Sequence, residues 1–183
     1  VEDQGALPFV LMARFETACR RFSGNRDSGE SWLPEPVEEF KASHPKQPRR
    51  SRLYLPGNEP RFMINAALHA PDGIIFDLED SVAPAEKDAA QTLARNALLN
   101  LPAGGCEKMV RINQGARGLE DLDWVIPAGV QCLLVPKVEE AGQVREVAQR
   151  IREILMASGL DRSIWLMPII ESAKGAWFAY DIA

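Results

Sequence analysis

The sequence predicts an α/β protein on a parallel sheet, with the repeat spacing of a (β/α)8 (TIM) barrel. Three observations predict it. From Arg52 onward, short apolar runs alternate with longer amphipathic stretches. The strand–helix units recur every ~20–35 residues, the pace of such a barrel. The first strand–helix turn, Pro56-Gly57-Asn58-Glu59-Pro60, lacks the Gly-x-Gly-x-x-Gly pattern, which leaves a dinucleotide-binding fold as the runner-up.

Residues 1–24 place Val10, Leu11, Phe15, Ala18, Cys19 and Phe22 at helical spacing, so an amphipathic helix ending at Ser23-Gly24 is expected. Residues 25–50 hold Pro34, Pro36, Pro45 and Pro48 among many charges, which predicts a partly disordered linker with a short helix near 37–42. The basic run at 46–52 has no interleaved aromatics and reads as a solvated lead-in. Residues 51–183 are the expected domain.

Leu53-Tyr54-Leu55 is the first strand, stopped by Pro56-Gly57. Asn58 can cap the next helix, with Pro60 in its first turn and Phe62, Ala66 and Ala67 leading to His69. Ile74-Ile75-Phe76 is an unbroken apolar run, fit for a strand buried on both faces. Its helix, about 85–99, puts Ala89, Leu93, Ala97 and Leu98 on one face. The third strand is predicted over 109–113, with a short helix after Gly118, about 119–125. Cys132 to Val135 is the fourth strand. A helix over about 140–157 follows, burying Val144, Val147, Ala148, Ile151, Ile154 and Leu155. The fifth strand spans 164–170, ending at Glu171, and a last helix starts near Ser172. These are five units where a closed barrel has eight. Either the chain is a fragment of a longer protein or something else covers the open edge.

With 183 residues, 46% hydrophobic and 26% charged, the chain suits one ordinary domain with an appendage. Its net charge of −5 argues against a nucleic-acid partner. Cys19, Cys106 and Cys132 are far apart, which suits a reducing cytoplasm and gives no metal-ligand spacing. No apolar stretch approaches the roughly 18 residues a membrane span needs, and no secretory signal is visible at the start.

In a parallel array the C-terminal strand ends share one rim, where such folds do chemistry. That rim would collect Asp77, Glu79 and Asp80 from the second unit, and Arg111 and Asn113 from the third. It would add Lys137 from the fourth and Glu171 from the fifth. Each has a plain structural alternative. The acids could be a solvated loop, Arg111 an ion pair that locks its strand, and Lys137 a solvated side chain. Glu171 could be a helix-start acid favoured by the dipole. Together they would offer carboxylates to a hard divalent cation and cations to an anionic substrate. Magnesium is the natural candidate, because few protein oxygens bind it and substrate completes its shell. Two histidines, one of them His44 in the linker, disfavour zinc.

Five blocks in this order, RSRLYLPGNEPRF, DGIIFDLEDSVAPAEK, VRIN, LLVPKVE and PIIESAKG, are similar to the citrate lyase β-subunit family. That family belongs with the HpcH/HpaI aldolases and malyl-CoA lyases, and the resemblance covers about residues 50–183. It implies a Mg2+-dependent (β/α)8 barrel that cleaves or forms C–C bonds in acyl thioesters. In citrate lyase, a citryl thioester splits into an acetyl thioester and oxaloacetate. The resemblance implies that Glu171 is one of two carboxylate metal ligands and that Arg111 holds the oxo-acid. It places Glu79 and Asp80 as acids beside the metal, binding through water. Lys87 would help position the site or the thioester, with Asn113 and Lys137 also on the substrate. The partners so implied are a citryl or malyl thioester, on CoA or an acyl carrier, and an oxaloacetate-like oxo-acid, in a homo-oligomer.

The family's second metal-ligand aspartate lies beyond the IIES block, and Asp181 is in the wrong context to replace it. The last three barrel units are also missing, so the chain by itself is expected to lack lyase competence. The stretch DQGALPFVLMARFETA resembles the C-terminal tail of the acyl-carrier subunit of citrate lyase or malonate decarboxylase; the alternative is a generic amphipathic helix. For function, the alternatives to a citryl lyase are a malyl-CoA or citramalyl-CoA lyase, or a non-catalytic partial barrel acting as scaffold.

Overall fold

Five strands pair in parallel and in chain order: β1 (Arg52–Pro56), β2 (Gly73–Asp77), β3 (Glu107–Arg111), β4 (Cys132–Val135) and β5 (Trp165–Pro168). This computed structural model describes residues 49–183 apart from residue 103. The helix expected in 1–24, the linker up to residue 48 and the likeness to an acyl carrier lie outside the described residues.

Each crossover steps one strand in the same direction. Right-handed connections then put every helix on one face of the sheet. A doubly wound fold needs a reversal of strand order, and these five strands have none. The helices are α1 (Pro60–Ile64), α2 (Lys87–Asn100), α3 (Gly115–Val125), α4 (Ala141–Ser158), α5 (Ala173–Trp177) and α6 (Ala179–Ile182). On the outer face α2 packs beside α3, and α3 beside α4.

The two faces of the sheet have separate cores, as the two-residue repeat of a strand requires. Leu55, Ile74, Phe76, Val110, Leu133 and Val135 point outward into the helix layer. Ile75, Met109, Cys132 and Leu134 point inward, joined by Trp165, Met167 and Ile169. The sheet curls about this inner face: Arg52 of β1 donates from Nη1 to Met167 Sδ of β5 at 3.0 Å. The result is an α/β fold with a curved five-stranded sheet, consistent with part of a TIM-type barrel. Position in the sheet sets burial. Every residue of β2 is buried, whereas every residue of β5, at the edge, is half-exposed.

Several local expectations are corrected. β3 lies two residues before its predicted place, because its ladder with β2 runs from Gly73–Glu107 to Asp77–Arg111. α3 begins before Gly118 rather than after it. A Cβ at Gly118 would stand 2.0 Å from the Asn113 carbonyl oxygen, so glycine lets the first turn of α3 close against the segment that leads out of β3. The buried stripe of α2 is Ala90, Gln91, Ala94, Ala97 and Leu98, and Ala89 is exposed. Asn58 does not cap α1: Glu59 holds that position, and Asn58 Nδ2 donates to Glu86 Oε2 at 2.7 Å. The expected continuous helix to His69 is broken at Asn65 into α1 and a 3-10 turn, Ala66–His69. α4 is nearly as predicted. Glu140 and Gln143 form a capping box, and Gly159 closes the helix with φ 62°.

Candidate functional site

The C-terminal ends of β2, β3, β4 and β5 bring one connected group of charges together. Asp77 ends β2 and lies directly opposite Arg111, which ends β3. Arg111 donates from Nε and Nη2 to the two Asp77 oxygens, both at 2.7 Å. The backbone N–H groups of Glu79 and Ser81 donate to the same carboxylate at 3.0 and 3.1 Å. The third Arg111 nitrogen, Nη1, is 3.3 Å from Glu79 Oε2 and 3.8 Å from Asp80 Oδ2. Its guanidinium also lies over the Tyr54 ring, 5.4 Å from the centroid.

Lys137 closes the group from the other side. It follows β4 and has a left-handed backbone, φ 49°, which costs an L-residue about 1–2 kcal/mol. Such strain is retained where surrounding contacts hold it. Here Lys137 Nζ donates to Glu79 Oε1 at 2.8 Å and Asp80 Oδ1 at 3.0 Å. Its backbone N–H donates to Glu171 Oε2 at 3.1 Å. Gln114, at the start of α3, donates to Glu79 Oε1 at 2.8 Å.

The electrostatics follow from these partners. Burial alone would raise the Asp77 carboxyl, but hydrogen bonds from Arg111, Ser81 and Glu79 outweigh it and hold the acid below its usual value. Hydrogen bonding to Lys137 holds Asp80 below its usual value too. The hydrogen bond to Asp77 raises Arg111, and those to Glu79 and Asp80 raise Lys137, so both cations stay charged.

Arg111, Glu79, Asp80, Lys137 and Glu171 therefore meet as the pattern predicts. Two predicted residues take other positions. Asn113 is buried, and its backbone and side-chain N–H groups both donate to Asp121 Oδ2 at 2.8 Å. The strand ends at Arg111, so the two-residue alternation no longer governs Asn113. Its amide is held by Asp121 in the helix layer instead of joining the charges at the rim. Lys87 holds the loop from behind, donating to the carbonyls of Leu78 at 2.7 Å and Glu79 at 2.5 Å. Burial lowers its pKa, against the pull of Asp77 and Glu79. That contact fits positioning of the acidic loop.

The HpcH/HpaI aldolase/citrate lyase family profile matches residues 50–183. The chain belongs to this family. The citrate lyase β-subunit of Haemophilus influenzae is 39% identical over 138 residues, covering 74% of this chain and 47% of that protein. Human mitochondrial citramalyl-CoA lyase is 32% identical over 139 residues, covering 73% and 41%. A solved structure of the Mycobacterium tuberculosis citrate lyase β-subunit, complexed with oxaloacetate and magnesium, matches with TM-score 0.54 and 32% identity, covering 73% of this chain and 54% of that one. The chain spans about half the length of the curated relatives it matches.

The rim residues fit a magnesium ion by donor chemistry. Glu171 is exposed and the Asp80 side chain is 56% accessible, so both present carboxylate oxygens to solvent. Magnesium is bound through one or two carboxylates, with water and substrate filling the shell. Among the described residues no three His, Cys, Asp or Glu side chains converge on one metal position. The fit is thus to part of a shell.

Sequence reasoning missed the roles of Asp77, Gln114 and Tyr54. Asp77 was legible as an acid on the rim but not as the partner of Arg111, because that depends on strand register. Gln114 had no signal beyond following the VRIN block. Tyr54 was legible only as a strand residue.

Proposed function

We propose that this rim is part of the active site of a Mg2+-dependent carbon–carbon lyase of the citrate lyase β-subunit type. The whole protein would cleave a citryl thioester to an acetyl thioester and oxaloacetate, within a closed (β/α)8 barrel whose remaining units complete the site. The observation that carries this reading is the contact of Glu79, Asp80, Arg111, Lys137 and Glu171 at one end of a parallel sheet. It is supported by relatives whose names include citrate lyase and whose structures hold oxaloacetate and magnesium.

In this reading Glu171 would hold the metal, with Glu79 and Asp80 as acids beside it. The metal, when present, supplies Lewis-acid neutralisation of the oxo-acid oxygens. Arg111 Nη1 and Lys137 Nζ add fixed positive charge at the same end of the substrate. Negative charge on the hydroxyl oxygen, as its proton leaves, then meets donors that need no reorganisation. Cleavage of the C–C bond turns that oxygen into the keto oxygen of the oxo-acid and passes the bonding pair to the thioester fragment as an enolate. Lys87 and Gln114 keep Glu79 in place. The hydroxyl proton goes to a base that none of these residues is assigned to be.

The test is calorimetric titration of the chain with Mg2+ and oxaloacetate, together with Glu171→Ala in a protein extended to the length of its relatives. Binding of both ligands, and loss of Mg2+-dependent cleavage in the variant, is the expected result. Cleavage retained in Glu171→Ala would remove the assigned role. One observation favours a second reading, a non-catalytic partial barrel: the rim charges already satisfy one another, with Lys137 Nζ on Glu79 and Asp80. An intact fold with no affinity for Mg2+ would select that reading. Citramalyl-CoA against citryl-CoA turnover separates the lyase alternatives.

A further inference from the structure

We propose that Asp77 is the positioning residue for Arg111, fixing its guanidinium so that Nη1 is the nitrogen offered to the rim. The functional half of this inference rests on reading the rim as an oxo-acid site. The geometric half does not.

Asp77 and Arg111 are register partners on adjacent strands, so their Cα positions are set by the ladder rather than by flexible loops. Their contact is a two-bond fork through Nε and Nη2, the arrangement that fixes a guanidinium plane. The other donors to the carboxylate come from backbone: Glu79 N–H on Oδ1 and Ser81 N–H on Oδ2. Each oxygen thus accepts two hydrogen bonds, which fills the four lone-pair directions of a carboxylate. Asp77 is also only 2% exposed. It has no direction left for a metal, a water or a substrate, and it cannot turn without breaking four bonds.

That sorts the three acids of the 77–80 segment. Asp77 is excluded as a metal ligand and as a base. Glu79 and Asp80 remain to meet ligand, each already touching Lys137. Nη1 of Arg111 points at these two acids. An oxo-acid carboxylate arriving there finds a cation whose rotamer is already fixed, so it loses less entropy on binding than with a free arginine. Tyr54 adds a restraint on the same plane.

Two measurements test this. The first is hydrogen exchange of the Arg111 Nε–H by 15N NMR, with the signal assigned by its absence in Arg111→Lys. The wild-type chain should show it strongly protected, unlike the Nε–H of the exposed Arg145. Exchange as fast as that of Arg145 overturns the proposal, with no variant required. Asp77→Asn should abolish the protection, while Asp121→Asn, which alters an equally buried acid, should leave it. Protection retained in a folded Asp77→Asn also overturns the proposal. The second measurement is oxaloacetate affinity in the presence of Mg2+. Asp77→Asn should weaken it tenfold or more while the far-ultraviolet spectrum is unchanged. A lost Nε–H signal with unchanged affinity would overturn the functional half. A wild-type chain that binds no oxaloacetate would overturn that half together with the proposed function, and the exchange data would still decide whether Asp77 fixes Arg111.

Discussion

Asp77 and Asp121 are both buried, at 2% and 0% exposure, and the chain holds them in opposite ways. Asp77 stands at the rim with a guanidinium and two backbone N–H groups on it. Its charge is compensated, and the acid lies below its ordinary value despite burial. Asp121 stands in the helix layer. Burial pushes its carboxyl up, against hydrogen bonds from Asn113 and Gln91, which are neutral donors. The first acid is kept ionised beside a cation that must stay charged. The second is a hydrogen-bonding hub that ties α2, α3 and the end of β3 together. Burial alone therefore says little about a carboxylate's role, and the charge of its partners says more.

The largest effect should come from removing the cation. Arg111→Ala leaves Asp77 buried and unpaired, which costs about 3–5 kcal/mol. Denaturant unfolding measures it, and the Asp77 carboxyl should titrate higher in the variant. A loss near zero would mean that water reaches Asp77, and the contrast with Asp121 would collapse. The next effect lies on the other side of the comparison. Gly118→Ala would ordinarily strengthen a helix interior by about 1 kcal/mol. Here the added Cβ meets the Asn113 carbonyl oxygen at 2.0 Å, so the first turn of α3 must move away from the segment that leads into it. A net destabilisation of about 1–3 kcal/mol is expected, with the Asn113–Asp121 bonds disturbed first. A stabilised variant would show that α3 is not held against Asn113.

A smaller, pH-dependent effect has opposite signs at the two acids. Asp77 is lowered from 3.8, so its contribution is present above 3.8 and is lost as pH falls through the lower folded value. Asp121 is raised from 3.8, so the folded state keeps a proton that the unfolded chain has already released. Stability then falls as pH rises from 3.8 to the folded value of Asp121. Asp121→Asn should remove that fall, because Gln91 can turn its amide to face the new NH2 group. Thermal unfolding measured from about pH 3 to 7 reads both signs. An Asp121→Asn curve parallel to wild type would show that Asp121 ionises in the fold as it does out of it.

Much of this arrangement was legible in the residues. Glu79, Asp80, Arg111, Lys137 and Glu171 each follow or end an apolar run, and a parallel sheet carries such positions to one end whatever the details. The partnering was not legible. Asp77 meets Arg111 because β3 ends at residue 111; a strand over 109–113 would have ended on Asn113 instead. Register depends on ladder bonds between strands of similar apolar pattern, and the pattern of KMVRIN fits either offset. Asn113 was misplaced for the same reason. Gly118 reads as a helix boundary from sequence because its need lies in the fold of the entry turn: the Asn113 carbonyl oxygen, from the segment that leads into α3, passes where its side chain would be.

The smallest effect separates burial from bond length. Arg150 of α4 and Asp123 of α3 form a two-contact pair through Nη2, at 2.7 and 2.8 Å, as short as the fork between Arg111 and Asp77. The side chains of the Arg150 pair are 38% and 47% accessible, against 13% and 2% for the rim pair. Water solvates the charges in both the folded and unfolded chain, salt screens them, and the long arginine loses rotamer freedom to make the contact. Arg150→Ala should leave the unfolding midpoint unresolved from wild type at physiological salt, with any difference shrinking further as salt is added. If instead it destabilised the chain as much as Arg111→Ala does, bond length would set the worth of these pairs, and the distinction drawn between the rim and the surface would fail.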